Sequence, residues 1–292
     1  MLLFKEIVTG IKLLESPFGG LWSGIALIKG KENILIDSGA SAEVVNECLV
    51  PALQAEGLEP ANIDILLNTH CHGDHVGGHY RFHQLSNAKI ATWRGSLDKM
   101  RDPLKYNKLI RATFPEFSPP ASTGLRGVEP DRLIDDGEII AGRLRLLHTP
   151  GHDDDTVCWF DEETKTLICG DTLQANGTAL QGVGFYQDLP GYRASLRRLM
   201  SMKINHLIAG HDYVPCGSVA VGAEKVQAYL EKCLYLTALY DKFIAEIMAH
   251  GERRPAKIAR LLIERMGEQA PKYLFLALYT VTEHIKAGIN AQ

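Results

Sequence analysis

Three histidines within six residues limit what this chain can fold into more than any other feature. The stretch Thr69-His70-Cys71-His72-Gly73-Asp74-His75 carries the frame His-x-His-x-Asp-His. Chance would place that frame in roughly one chain in a thousand of this length and histidine content. Directly before it, Ile63 to Asn68 is an almost wholly apolar run, the pattern of a short strand buried on both faces. After it, a glycine-bearing loop leads into a helix near Val76. Imidazole and carboxylate are metal ligands, and side chains two apart on a tight loop can converge on one ion.

More ligand candidates follow apolar runs in the same way, each in a glycine-containing turn. His152 ends Leu144-Arg145-Leu146-Leu147-His148-Thr149-Pro150-Gly151-His152, Asp171 follows Leu167-Ile168-Cys169-Gly170, and His211 follows Leu207-Ile208-Ala209-Gly210. Strands that end in Gly-His or Gly-Asp point to one sheet edge carrying a polar site. Asp37, after Ile34-Leu35-Ile36, has the same placement and suits a partner that orients a histidine ligand. His79 and His83, one helical turn apart, read as structural histidines. Cys71 lies between two ligands and reads as an inert thiol facing away from them.

The first two thirds of the chain alternate strand and helix patterns. Gly24 to Ile28 and Asn33 to Ile36 read as paired strands around Lys29-Gly30-Lys31. Ser41 to Glu56 reads as a helix with Ser41 as N-cap, Gly57 at its end and a kink at Pro51. Lys89 to Thr92, Arg143 to Leu147, Thr156 to Phe160, Thr166 to Cys169 and His206 to Ala209 read as further strands, and Tyr192 to Met200 as a helix. Residues 98–128 hold Pro103, Pro115, Pro119, Pro120, Gly124 and Gly127 with Tyr106, Phe114 and Phe117 between them, which reads as an irregular lid or binding loop. From about Val219 the pattern becomes all-helical: Glu224 to Met248, Pro255 to Met266 and Pro271 to Ala287. The expected division is a catalytic domain of 1–218 and a helical extension of 219–292. The extension either caps the site or forms a dimer interface through aromatic residues such as Tyr229, Tyr235, Tyr240, Phe243, Tyr273, Phe275 and Tyr279.

With these motifs in order from about residue 20 to 215, the chain resembles the metallo-β-lactamase-fold superfamily of metal-dependent hydrolases. Its helical tail is similar to that of glyoxalase II-like thioesterases. The resemblance implies an α/β fold, an αββα sandwich of two mixed sheets with the metals at one sheet edge, followed by an all-helical C-terminal extension. It implies two divalent ions, the first on His70, His72 and His152 and the second on Asp74, His75 and His211. Asp171 would bridge them and hold a metal-bridging hydroxide, which Asp74 would steer. Zinc is the expected metal, with iron or manganese as alternatives. The expected reaction is hydrolysis of an ester, thioester or lactone-type bond. The alternatives are a phosphodiesterase or nuclease of the same fold and a metal-bearing effector with weak hydrolase activity. The flavodiiron pattern has Glu where this chain has His72, and lactonases often place Tyr a few residues after the bridging Asp, where Thr172 to Asn176 has none. A mononuclear iron dioxygenase would leave Asp74, His75 and His211 without a role. The pocket is expected from the 98–128 segment, the 174–192 loop and the C-terminal helices, with Tyr186, Tyr192 and Asn176 as substrate-binding candidates.

Composition narrows the partners. Thirty-one basic residues against 35 acidic leave a formal charge of −4 over 292 residues, so no field draws in nucleic acid or an anionic membrane. The basic runs Lys99, Arg101, Lys105, Lys108, Arg111 and Arg193, Arg197, Arg198 read as solvated helix faces. No apolar stretch reaches 18 residues, and the N-terminus lacks the apolar core of a signal peptide. Six scattered cysteines suit reduced thiols. The expectation is a cytoplasmic protein with a small-molecule substrate, no nucleic-acid or membrane partner, and homodimerisation as the assembly to consider. Asp153-Asp154-Asp155 receives no role.

Overall fold

The computed structural model describes residues 2–267 and 272–290. Two sheets dominate it. The first holds β1 (Lys5–Val8), β2 (Ile11–Phe18), β3 (Leu21–Ile28), β4 (Ile34–Ile36), β5 (Ile65–Leu67), β6 (Lys89–Trp93) and β7 (Arg132–Ile134), each beside the next in chain order. β1 to β4 pair antiparallel, and β4 to β7 run parallel. The second sheet holds β8 (Ile139–Ile140), β9 (Leu144–His148), β10 (Val157–Asp161), β11 (Thr166–Ile168), β12 (His206–Tyr213) and β13 (Gly217–Val221), again in chain order. Here only β11 and β12 are parallel.

Period-two burial explains the layering. Ile11, Leu13, Ala26 and Ile36 of the first sheet meet Leu146, Val157, Trp159 and Ile208 of the second. Their strand neighbours face outward into helices. Leu14, Ile25, Leu27, Leu66 and Ile90 pack under the helices of the first half. These are α2 (Val50–Ala55), α3 (Gly73–Val76), α4 (His79–Leu85) and α5 (Leu97–Arg101); α1 (Ala42–Val44) precedes α2 and α6 (Pro103–Thr113) follows α5. Leu147, Phe160, Leu167 and Leu207 pack under α7 (Leu189–Met200), α8 (Ala223–Ala249), α9 (Pro255–Arg265) and α10 (Leu274–Asn290). The result is an αββα sandwich of two mixed sheets with C-terminal helices.

Several elements differ from the sequence reading, each for a local reason. The expected helix from Ser41 passes through a π turn, Val45–Leu49, between α1 and α2. Pro51 has no N–H to donate and its ring crowds the carbonyl four residues back, and the wider turn ahead of it absorbs both. Ser41 caps as expected, its hydroxyl accepting from Val44 N at 3.3 Å. The expected irregular lid is helical in its first half, because Pro103 opens α6 instead of breaking it. Asp102 caps that helix, accepting from Lys105 N at 2.9 Å. The N-terminal stretch forms the β1–β2 hairpin, closed at Gly10 with φ 79°. β13 runs through residue 218, where the domain boundary was placed. The C-terminal helices share one hydrophobic cluster with the second sheet: Leu207 and Leu230, Leu262 and Val281 belong to it together. α10 starts at Leu274, and Pro271 lies outside the described residues. Among the described residues, no helix is long and apolar enough to cross a membrane.

Candidate metal centre

The carboxyl ends of the central strands meet at one edge of the sandwich. β4 leads to Asp37, β5 to the histidine loop, β9 to His152 and β11 to Asp171. His211 lies inside β12, where the pairing with β13 is irregular between Ile208 and Tyr213, and not in a turn after the strand. That irregularity turns the His211 side chain into the site.

Two groups of donors form there. His70, His72, His152 and Asp171 each bring a ligand atom within 4.8 Å of the others, and so do Asp74, His75 and His211. Asp171 reaches both groups. Its Oδ2 lies 3.5 Å from His152 Nε2, 4.0 Å from His70 Nε2 and 3.4 Å from His211 Nε2, and its Oδ1 lies 3.3 Å from His75 Nε2. Asp74 Oδ2 lies 3.1 Å from His211 Nε2 and 3.5 Å from His75 Nε2. All seven residues named from the sequence therefore meet at one place.

Each imidazole is fixed through the nitrogen that faces away. His75 Nδ1 stands 2.8 Å from Asp37 Oδ2, His152 Nδ1 2.9 Å from the Phe185 carbonyl, and His211 Nδ1 2.6 Å from the Trp22 carbonyl. His70 Nδ1 stands 3.1 Å from the Thr69 hydroxyl, which itself donates to Asp37 at 2.8 Å. Asp37 thus orients ligands of both groups, as the sequence suggested. It holds φ 64°, a left-handed turn that Asp tolerates better than most residues. His72 is reversed: Nε2 stands 3.2 Å from Asp153 Oδ2, and Nδ1 faces His152 Nε2 at 3.0 Å.

This donor set fits two small divalent ions. Ligands at 2.0–2.1 Å around a tetrahedral ion stand about 3.3–3.4 Å apart, close to the spacings above. His70 Nε2 and Asp171 Oδ1 are buried with no hydrogen-bond partner among the described residues, an arrangement that is costly unless something else binds them. The backbone leaves the room: a Cβ on Gly210 would lie 2.3 Å from Asp171 Oδ1 and 3.0 Å from His75 Cε1.

The protein's own charges polarise the two groups differently. Burial pushes the Asp74 and Asp171 carboxyls up, but His75 and His211 beside them hold Asp74 down at about 2 and Asp171 well below the usual carboxylate range. Burial lowers His75 and His211, and the facing carboxylates more than reverse it, taking His211 up to about 10. Burial and neighbouring imidazoles instead lower His70, and His152 to about 4. One group is an ionic cluster and the other is mostly neutral imidazole, the form that binds metal.

The three consecutive aspartates gain a role. Lys99 on α5 lies 2.7 Å from Asp153 and 3.1 Å from Asp155, and it also contacts Asp154. Tyr106 on α6 hydrogen-bonds Asp153, and the Lys99 ammonium lies 3.9 Å from its ring centroid. The α5–α6 segment is thereby tied to the carboxylate that backs His72. Cys71 is buried on the far side of its loop, near the Ser96 carbonyl at 3.9 Å, and burial raises its thiol pKa well above the usual value. His79 bonds Ser38 and stays outside the donor groups.

A cavity of about 360 Å³ opens over the donors. His72, Asp74, His152, Asp171 and His211 form its floor. Its walls come from the three regions named from the sequence: Asn107, Ile110, Arg111 and Leu125; Thr178, Gln181 and Phe185; and Tyr273, Phe275 and Leu276. Phe18 and Leu21, at the β2–β3 turn, complete it and carried no signal in the sequence beyond apolarity. The C-terminal helix thus covers the site, while Tyr229 and Tyr240 are core and Tyr235 is exposed.

The three substrate-binding candidates are elsewhere. Tyr186 is buried, with its hydroxyl 2.6 Å from His284 Nε2. The Tyr192 hydroxyl accepts from Gln174 N at 3.1 Å, and Asn176 Oδ1 accepts from Tyr240 at 2.7 Å. Each has its polar atom committed within the packing of the 174–192 loop on the C-terminal helices, and none lines the cavity. Phe185, one residue from Tyr186, is the side chain that does.

Comparison with known proteins agrees with this geometry. Residues 23–211 match the family model described as the metallo-beta-lactamase superfamily. The chain is 27% identical over 205 residues to a beta-lactamase-like protein 2 homolog of Caenorhabditis elegans, covering 69% of this chain and 58% of that protein. It is 26% identical over 272 residues to the acyl-coenzyme A thioesterase MBLAC2 of Gallus gallus, covering 84% and 94%. A crystal structure of a metallo-beta-lactamase family protein from Thermus thermophilus superposes with TM-score 0.76 at 21% identity, covering 97% of this chain and 95% of that one.

Proposed function

The chain belongs to the metallo-β-lactamase superfamily, and on that premise we propose that it is a dinuclear metal hydrolase of acyl thioester or closely related ester bonds. The observation that carries this reading is Asp171, whose two carboxylate oxygens face both donor groups. His70, His72 and His152 would hold one ion, Asp74, His75 and His211 the other, and Asp171 would serve both; zinc suits this nitrogen and oxygen set. Ions bound there supply an acidified water and a Lewis acid for the acyl oxygen.

The residues around them have their own tasks. The walls at Phe18, Leu125, Phe185 and Phe275 shed water and seat an apolar acyl part. Asp74 and Asp171, the carboxyl groups facing the cavity, would both be ionised as metal ligands, and the histidines beside them would be neutral ligands, so none of these groups has a proton to give a leaving group. A thiolate departs without one, because its conjugate acid has a pKa of about 8.5. An alkoxide, far more basic, needs that proton. This asymmetry favours thioesters, as does the likeness to a protein named an acyl-coenzyme A thioesterase. Against the phosphodiester alternative, several members of the basic runs are paired within the protein, Arg101, Arg193 and Arg198 with Glu129, Asp241 and Asp136, and Lys99 with the three aspartates, and of these runs only Arg111 lines the cavity among the described residues.

The test is metal content by element-specific mass spectrometry, together with turnover of thioester, oxyester, lactone and phosphodiester panels. Two ions per chain and a thioester preference are expected, and Asp171→Ala should lose metal and turnover together. Full activity in Asp171→Ala, or a phosphodiester preference in the wild type, would overturn the reading.

A further inference from the structure

Of Lys272 and Arg111, the lysine and arginine that line the cavity, Lys272 is exposed and donates to the Gly19 carbonyl at 2.9 Å, while Arg111 is half-buried and the chemistry above leaves it unused. It projects from the same face of α6 as Asn107 and Ile110, and all three line the cavity. Its guanidinium carries five N–H donors. One reaches the Asn107 carbonyl at 3.1 Å. The Nε atom is buried with no hydrogen-bond partner among the described residues. Other half-buried arginines are treated differently: Arg143 holds Asp161 at 2.6 Å, Arg145 holds Glu162 at 2.7 Å, and Arg193 holds Asp241. Arg111 pairs with no carboxylate among the described residues. Its other neighbour is an aromatic ring, Phe275, with the guanidinium carbon 5.9 Å from the centroid.

A charge held in an apolar wall with a buried Nε–H unpaired, one bond to a backbone carbonyl and no carboxylate partner among the described residues is better satisfied when a ligand supplies the acceptor. The planar fork matches a carboxylate bidentately. The metal donors occupy the floor of the same cavity and Arg111 its wall, so one bound molecule faces both.

We propose that Arg111 is a specificity residue and that the substrate is an acyl thioester or ester bearing a second, anionic group, a carboxylate on the acyl part, with an apolar stretch between them lying against Ile110, Leu125, Phe185 and Phe275. This rests on the hydrolase reading for the bond that is cleaved, but the recognition step stands on Arg111 alone.

The experiment compares pairs of acyl thioesters of one chain length that end in a carboxylate or in the isosteric carboxamide, over a series of lengths. Wild type should prefer the carboxylate, with an optimum length. Arg111→Met should raise KM for the carboxylate roughly 10- to 100-fold and leave kcat and the carboxamide nearly unchanged. Arg111→Gln, which keeps a donor for the Asn107 carbonyl, serves if the Met variant does not fold. Equilibrium binding of ω-phenylalkanoates and their amides to the metal-loaded protein gives a readout free of turnover. A carboxylate preference that is lost in the variants supports the proposal even where no thioester is cleaved, which separates it from the hydrolase reading. A preference unchanged in the variants, as direct binding to the metals would give, or no preference in the wild type, overturns it.

Discussion

Asp37 Oδ2 stands 2.8 Å from His75 Nδ1 and accepts the Thr69 hydroxyl at the same distance, so one carboxylate orients an imidazole in each donor group. The link to His70 runs through the Thr69 oxygen, the link to His75 is direct, and Thr69 N adds a third bond at 2.8 Å. Asp37→Asn keeps the shape and tolerates the left-handed turn, but it offers one acceptor oxygen where three donors converge. Outer partners of this kind are worth about 10- to 100-fold in metal affinity. We expect that loss for both ions in a chelator-competition titration, with the fold intact by circular dichroism. Loss of only one ion would show that the Thr69 relay does not orient His70.

Gly210 tests the same site from the backbone. An added methyl would lie 2.3 Å from Asp171 Oδ1 and 2.9 Å from the Gly170 carbonyl carbon, contacts that real Cβ atoms do not make. Gly210→Ala should displace Asp171, the ligand common to both groups, and reduce bound metal well below two ions per chain. Mass spectrometry of the purified variant measures this directly. Two tightly held ions in Gly210→Ala would mean that β12 can shift without cost to the centre.

The ligand set was legible in the sequence because its members sit in the histidine loop or directly after a glycine that follows an apolar run, although His211 lies inside β12 and not in a turn. Asp37 was legible from the apolar run before it. The walls of the cavity were legible only as regions. Tyr186 and Phe185 are neighbours in the 174–192 loop, and nothing local says that Phe185 faces the metals while Tyr186 turns to His284. That choice is made by α10, about a hundred residues later, whose Thr280 hydroxyl lies 3.3 Å from Tyr186 N. Pro103 misled for a different reason: proline breaks a helix interior but opens a helix at its first turn, and only Asp102 ahead of it distinguishes the two.

Lys99 carries a stability prediction. Its side chain is 15% exposed and faces Asp153 and Asp155, which are 5% and 0% exposed. Removing one partner of a buried ion pair leaves an uncompensated charge, at a cost of about 3–5 kcal/mol. Lys99→Met should therefore destabilise by that order in denaturant unfolding, and Asp153, freed from it, should hold His72 less firmly. Asp154, 84% exposed, is the control: Asp154→Asn should change stability by under about 1 kcal/mol. Equal effects from the two variants would remove the buried cluster as the cause.

His79 sets a pH dependence that is separate from the donor groups. Its ring is buried, Nδ1 lies 2.7 Å from the Ser38 hydroxyl, and Nε2 has no hydrogen-bond partner among the described residues. Burial pushes its pKa from 6.5 down to about 3. The folded protein therefore keeps His79 neutral where the unfolded chain binds a proton. Between about pH 6.5 and 3 the unfolded state holds more protons, so stability rises with pH across that window and falls on acidification. The contribution is fully present above the unfolded value and is lost as pH drops towards 3, at up to about 1.4 kcal/mol per pH unit. His79→Gln has no proton to take up. Its unfolding free energy should fall less steeply than the wild type's between pH 6.5 and 4, by roughly that slope, and should be lower near neutral pH if the Ser38 contact is weakened. Parallel curves for the two proteins would show that His79 titrates alike in both states, and that acid sensitivity arises elsewhere.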